Sequence, residues 1–275
     1  WTVVDAESAI SSQSGCETQN VTGDTVGVTF TCAANSTGGT ASQSVTIQRD
    51  ATAPTLTLLD RTPANSNGWN NSPVTMNWRC SDATAGVYYG ATIYMSFGWE
   101  GADQSTTATC IDMAGNTTSD TQSNLNIDKT KPNISAATTT APNANGWYNS
   151  DVTVQFTCGD YLAGVATCPA DQILSSEGTA VSSTAQTVSD LADNVSDPSN
   201  VVTANIDKTA PVVTVTGVSN GASYTLGSVP AAGCTTSDAL SGVATQATLS
   251  VTGGNPDGTG SFTAICNGAI DLAGN

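Results

Sequence analysis

The sequence predicts an all-β chain of tandem two-sheet sandwiches, each stapled by one disulfide. Three observations predict it. Short segments alternate apolar and polar residues, Gly, Asn, Asp and Pro separate them, and the same markers return about every 78 residues.

The repeat is read from four markers. Asp50, Asp128 and Asp207 each stand four residues before a proline and are spaced 78 and 79 apart. Asn67-Gly68-Trp69 returns as Asn145-Gly146-Trp147, and Cys80-Ser81-Asp82 as Cys158-Gly159-Asp160, both 78 residues on. Asp112-Met113-Ala114-Gly115-Asn116 returns as Asp190-Leu191-Ala192-Asp193-Asn194 and as Asp271-Leu272-Ala273-Gly274-Asn275. The expected units are 1–53, 54–131, 132–210 and 211–275. The register puts about 24 residues of a full unit ahead of Trp1 and about 16 behind Asn275. The expectation is therefore a window on a longer array, with donation of the missing strands by neighbouring subunits as the alternative.

Within a unit, Val152, Val154, Phe156 and Cys158 alternate with polar residues, as do Val74, Met76, Trp78 and Cys80. Such alternation puts one side of a strand in a core. Trp78, Phe156 and Trp1 share a register position and are expected there together. A unit this small buries a modest core and gains from a covalent staple. The register assigns two cysteines to each unit: Cys16 and Cys32, Cys80 and Cys110, Cys158 and Cys168, Cys234 and Cys266. Where one partner position holds valine, Val3 or Val188, another cysteine occurs inside the same unit. No Cys-x-x-Cys spacing suggests zinc. Disulfides imply an oxidising compartment, so an extracellular or cell-surface location is expected.

Composition excludes several function classes. The chain has no histidine, so triads and imidazole bases are unavailable. Six Lys and Arg against 23 Asp and Glu give a net charge of −17, which disfavours nucleic acid and anionic membranes. No apolar run is long enough for a membrane helix. There is no Gly-x-Ser-x-Gly elbow and no carboxylate constellation that occurs only once, so no catalytic residue is assigned and no enzyme activity is expected.

The Ile127-Asp128-Lys129-Thr130-x-Pro132 linker, Asn-Gly-Trp, Asp82-x-x-x-Gly86-Val87 and Asp-x-Ala-Gly-Asn together resemble bacterial immunoglobulin-like tandem repeats, some of them hyalin-repeat-like. The resemblance spans essentially the whole chain. Local departures are Asp193 at the turn glycine, Asn35–Gly39 in the first unit and Ala9 at the glycine of Asp-x-x-x-Gly. The resemblance implies tandem Ig-like β-sandwich domains in a structural repeat region of an extracellular stalk, adhesin or filament. Its partners would be neighbouring repeats or identical subunits in a fibre. The alternatives are a carbohydrate- or host-surface-binding adhesin module and a non-catalytic accessory region of a secreted hydrolase.

The linker residues Asp50, Asp128 and Asp207 have two readings. Calcium takes six to eight oxygen ligands, and the resemblance permits calcium at such junctions. The other reading is a turn capped by Asp and Thr and closed by Pro. Asp82 and Asp112 with their counterparts read as turn-capping residues, and Glu100 and Glu177 as loop residues. Val87–Trp99 concentrates aromatics that no other repeat carries. Tyr88, Tyr89, Tyr94, Phe97 and Trp99 are accordingly a candidate binding patch or subunit contact, for glycans or for a second copy.

Overall fold

The computed structural model describes all 275 residues, with twenty strands and no helix. The chain divides into two compact units, Trp1–Thr130 and Lys131–Asn275. That division falls one residue before the expected boundary between the second and third repeats.

In the first unit the strands are β1 (Ile10–Ser14), β2 (Thr25–Ser36), β3 (Gly39–Arg49), β4 (Thr55–Arg61), β5 (Val74–Ser81), β6 (Thr92–Phe97), β7 (Gly101–Ile111) and β8 (Thr117–Ile127). They form the sheets β1-β2-β3 and β4-β5-β6 and the ribbon β7-β8. Alternation in β5 buries Val74, Met76, Trp78 and Cys80, as the sequence pattern requires. Val74, Met76 and Trp78 share a core with Ala108 of β7 and Leu125 and Ile127 of β8. Leu56, Leu58, Ile93, Met95 and Phe97 pack around it. Bulges re-aim the ribbon: Asp103 and Asn124 have φ of 52° and 54°, and the β7–β8 register shifts beside them.

In the second unit the strands are β9 (Asn133–Thr138), β10 (Trp147–Tyr148), β11 (Val152–Gly159), β12 (Gln172–Leu174), β13 (Gly178–Ser182), β14 (Thr203–Ile206), β15 (Val212–Thr216), β16 (Gly233–Ser237), β17 (Val243–Thr245), β18 (Thr248–Gly253), β19 (Phe262–Asn267) and β20 (Ile270–Asp271). Sheets β12-β11-β9 and β10-β14-β13 enclose Ala136, Val152, Val154, Phe156, Leu174, Ala204 and Ile206. β10 pairs with β14 in parallel, and β15-β16, β18-β19 and β17-β20 are two-stranded. Where the second repeat has the long ribbon β7-β8, the third has mostly irregular chain between β13 and β14. Buried serines complete its bonding. The Val188 amide donates to Ser196 Oγ at 3.0 Å, Gln186 to Ser199 Oγ at 3.1 Å and Val202 to Ser183 Oγ at 2.9 Å.

All eight cysteines form disulfides, Cys16–Cys32, Cys80–Cys110, Cys158–Cys168 and Cys234–Cys266. Cys80–Cys110 ties β5 to β7 and so joins a sheet to the ribbon facing it. Four disulfides indicate folding in an oxidising, non-cytoplasmic compartment. No helix is long and apolar enough to cross a membrane.

Trp1 corrects one expectation. Trp78 and Phe156 are buried, but Trp1 is 46% exposed and belongs to neither core cluster. It precedes the first strand, so no sheet fixes which way its ring faces.

Candidate functional site

The repeat markers converge at the linkers. In the first unit the carboxylates of Asp50, Asp82 and Asp112 each place an oxygen within 4.8 Å of the others, and in the second unit Asp207, Asp238 and Asp271 do the same. The register assigns Asp128, Asp160 and Asp190 to the equivalent positions of the remaining linker.

Each member of a cluster is positioned by a turn. Asp82, just past β5, accepts the amides of Thr84, Ala85 and Gly86 on one oxygen at 2.8–3.0 Å. Asp238, just past β16, accepts Leu240 at 3.1 Å and Gly242 at 2.6 Å. The other oxygen, Oδ2, of Asp82 and of Asp238 accepts no hydrogen bond, and both residues are half-buried. Asp112 and Asp271 are buried and open the Asp-x-Ala-Gly-Asn turns. They accept the amide and the side-chain Nδ2 of Asn116 and of Asn275 at 2.7–2.8 Å. The glycine position of this turn has φ of 93° at Gly115 and 94° at Gly274. Asp193 holds the same left-handed conformation at 69°, so the departure noted in the sequence keeps the geometry.

The linker Asp reaches into this framework from the preceding repeat. Asp50 accepts Thr52 N on one oxygen and Ala85 N on the other, both at 3.0 Å. Asp207 is fully buried and accepts Thr209 N at 3.0 Å and Ser241 N at 2.9 Å. Asn116 Nδ2 also donates to Thr52 O at 3.2 Å, and Asn275 Nδ2 to Asp207 O at 2.8 Å. The Asn that ends each turn therefore joins the linker backbone to the following repeat. Asp128 is also fully buried, and its Oδ1 accepts Thr130 N at 2.9 Å.

A second set of carboxylates holds the same linkers from the other side. Glu100 accepts Lys129 N at 2.6 Å and the Thr130 hydroxyl at 3.1 Å. Glu177 accepts Lys208 N at 2.5 Å and the Thr209 hydroxyl at 3.0 Å. Asp24 takes this role in the first repeat, accepting Ala51 N at 3.0 Å, the Thr52 hydroxyl at 2.5 Å and Arg49 at 2.7 Å. Glu100 and Glu177 thus act as linker clamps rather than plain loop residues. The repeat contained an approximate signal for them, since Glu100 precedes Thr130 by 30 residues and Glu177 precedes Thr209 by 32. Lys129 Nζ donates to Gly98 O and Lys208 Nζ to Ser175 O, so neither ammonium neutralises the Asp clusters.

The ionisation of these groups has a defined cause. Burial pushes the Asp112 carboxyl up, but the side chain and amide of Asn116 and the amides of Gly115 and Ala114 outweigh it and hold it below the ordinary 3.8. Burial also raises Asp207, and bonds from Ser241 and Thr209 outweigh it likewise. The Thr52 hydroxyl lowers Asp24 against burial, with help from Ala51 and Arg49. A carboxyl lowered in the fold contributes stability that is complete above its unfolded value and is lost as pH falls through the folded one. Thermal melts are therefore expected to hold level near neutrality and to drop once the pH passes below about 4. Melting temperatures that rise on acidification through this range would instead show that repulsion within the clusters dominates.

The aromatic candidates divide. Tyr88, Tyr89, Tyr94 and Trp99 are 57–81% exposed, whereas Phe97 turns inward onto the Trp78 core because it lies on the other face of β6. Tyr88 and Tyr89 meet edge to face, with ring centroids 4.6 Å apart. Trp69 and Trp147, at the linker-facing turns, are half-buried. No protein-family model matches the chain, and a search of curated proteins returns no significant match.

Proposed function

We propose that this chain is a structural repeat region of an extracellular bacterial stalk, adhesin or filament, made of tandem Ig-like sandwiches with stiffened linkers. One observation carries the reading: the linkers are bonded on both sides. Before Pro54, Asp24 holds Ala51 and Thr52 from one repeat, while Ala85 and Asn116 hold Asp50 and Thr52 from the next. Before Pro211, Glu177 holds Lys208 and Thr209, while Ser241 and Asn275 hold Asp207. A flexible tether leaves such groups to water. Repetition of the same knot, with a disulfide in every unit, is the construction of a spacer that keeps its length. Electron microscopy of native material tests it. Straight, regular rods or fibres are expected, and randomly bent strings would overturn the stiff-linker reading.

Calcium at the linkers is the second part of the proposal. The residues present fit a hard cation. Three carboxylates converge without an ammonium or guanidinium among them, and one oxygen of Asp82 and of Asp238 is left without a donor. The bonds that hold the other oxygens would orient the ligands in advance. Calcium is expected to raise the melting temperature, with about 2.7 kcal/mol of stabilisation at a hundredfold excess over Kd. Asp82→Asn keeps the Thr84, Ala85 and Gly86 bonds through its amide oxygen and should lose the calcium response of the first linker. Equal melting in calcium and in chelator would leave hydrogen bonding alone as the source of stiffness.

A further inference from the structure

We infer that β6 is a self-pairing edge, through which two copies of this chain join antiparallel about a two-fold axis at Tyr94. The inference stands apart from the proposed array function and rests on the free edge of one strand.

β6 is the outer strand of β4-β5-β6. It pairs with β5 in one unbroken register, Val74 opposite Phe97 through Arg79 opposite Thr92. One residue further on, Cys80 N donates to Ala91 O at 2.9 Å, which marks Cys80 and Ala91 as a bonded pair. Bonded and non-bonded pairs alternate in an antiparallel ladder. Ile93, Met95 and Phe97 therefore spend their backbone groups on β5. The N–H and C=O groups of Thr92, Tyr94 and Ser96 point away from the sheet, where no strand lies.

Exposed edges are normally blunted by charge, proline, a bulge, short length or a covering group. The edges β4, β12 and β9 show these devices. β4 has a register shift between Leu58 and Asp60 and carries Asp60 and Arg61. β12 is three residues long and follows Asp171. β9 is covered at Ala136, whose N–H and C=O both bond the Asn200 side chain at 2.8 Å. Within Thr92–Phe97 β6 has none of them, and the covering group lies just past its end, where Lys129 Nζ bonds Gly98 O at 2.8 Å. Its sequence Thr-Ile-Tyr-Met-Ser-Phe is β-branched and aromatic, and the thirteen residues Val87–Trp99 contain no charged side chain.

Charge and symmetry identify the partner as a second copy. Two chains of net charge −17 repel over most of their surfaces, so a neutral edge is where they can approach. The segment is also nearly palindromic in side-chain type about Tyr94. Ile93 is mirrored by Met95, Thr92 by Ser96, Gly90 by Gly98 and Tyr89 by Trp99. Antiparallel pairing centred on Tyr94 puts like beside like. The free groups of Thr92 meet those of the partner's Ser96, and Tyr94 meets the partner's Tyr94. Tyr89 and Trp99, 81% and 78% exposed, come opposite each other at both ends. An isologous contact requires this self-complementarity.

Sedimentation equilibrium of the disulfide-intact chain tests it, read with amide hydrogen exchange. The mass is expected to rise from 27.6 kDa toward twice that with concentration, while the amides of Thr92, Tyr94 and Ser96 slow together. Tyr94→Pro removes only an outward N–H and leaves the β5 bonds intact, so it should give a monomer with an unchanged melting temperature. Tyr94→Lys sets two ammonium groups on the axis and should also give a monomer, which decides the matter if the proline variant misfolds. A chain monomeric at every concentration, with fast exchange at the three amides, overturns the inference. So does a dimer that survives Tyr94→Lys, since it would use another surface.

Discussion

Trp78→Ala is expected to destabilise the second repeat by about 3–5 kcal/mol, the range for truncating a large buried aromatic. Trp78 is fully buried at the centre of β5, between the sheet and the β7-β8 ribbon. Its Nε1 donates to Asp120 Oδ2 at 2.7 Å, and that oxygen also accepts Gln122 Nε2 at 2.9 Å. Alanine leaves a cavity and takes a donor from a carboxylate. Trp78→Phe fills most of the space and loses only the hydrogen bond, so a loss of about 1–2 kcal/mol is expected. A single two-state fit does not suit a chain of several repeats, so amide exchange followed repeat by repeat is the appropriate measurement. Protection should fall across β5, β7 and β8 and persist in the Phe156 cluster. An equal fall in both clusters would mean that they unfold as one cooperative unit.

Replacing Cys80 and Cys110 together by alanine is expected to lower stability by about 3.5 kcal/mol in the chain-entropy account, given the 30-residue separation. The same change at Cys158 and Cys168, 10 residues apart, should cost about 2.7 kcal/mol. Location widens the gap. Cys80–Cys110 crosses from β5 to β7 and both cysteines are buried, so its loss also opens a packed core. Cys158–Cys168 fastens β11 to an irregular segment before β12. Urea midpoints of the two double variants, read on the repeat concerned, should rank in that order. The reverse order would show that the short loop carries native structure the long one lacks.

Much of this architecture was legible in the residues. Alternation in Val74–Cys80 and Val152–Cys158 specified both strands and their buried faces, because a period of two leaves one choice once a face is apolar. The cysteine register specified all four pairings, because a substitute cysteine stayed inside its own repeat when a partner position held valine. The exposure of Trp1 was not legible, since alternation assigns a face only when a neighbouring strand fixes the register. Nor was the contrast between the β7-β8 ribbon and the irregular chain before β14. There the buried hydroxyls of Ser183, Ser196 and Ser199 stand in for ladder partners, and serine is equally common in turns.

The candidate site divides in the same way. The sequence alone established the period, the staples, the acidity and the linker Asp residues, because these are properties of spacing and composition. That Asp50 would meet Asp82 and Asp112, and Asp207 meet Asp238 and Asp271, was decided only by the tertiary fold. Residues some 30 and 60 positions apart become neighbours when strands from two repeats end at one linker. The clamps at Asp24, Glu100 and Glu177 and the bare edge of β6 have the same origin. Hydrogen bonds to a linker, and unpaired groups on a strand, depend on which elements lie alongside, and a one-dimensional pattern does not carry that information.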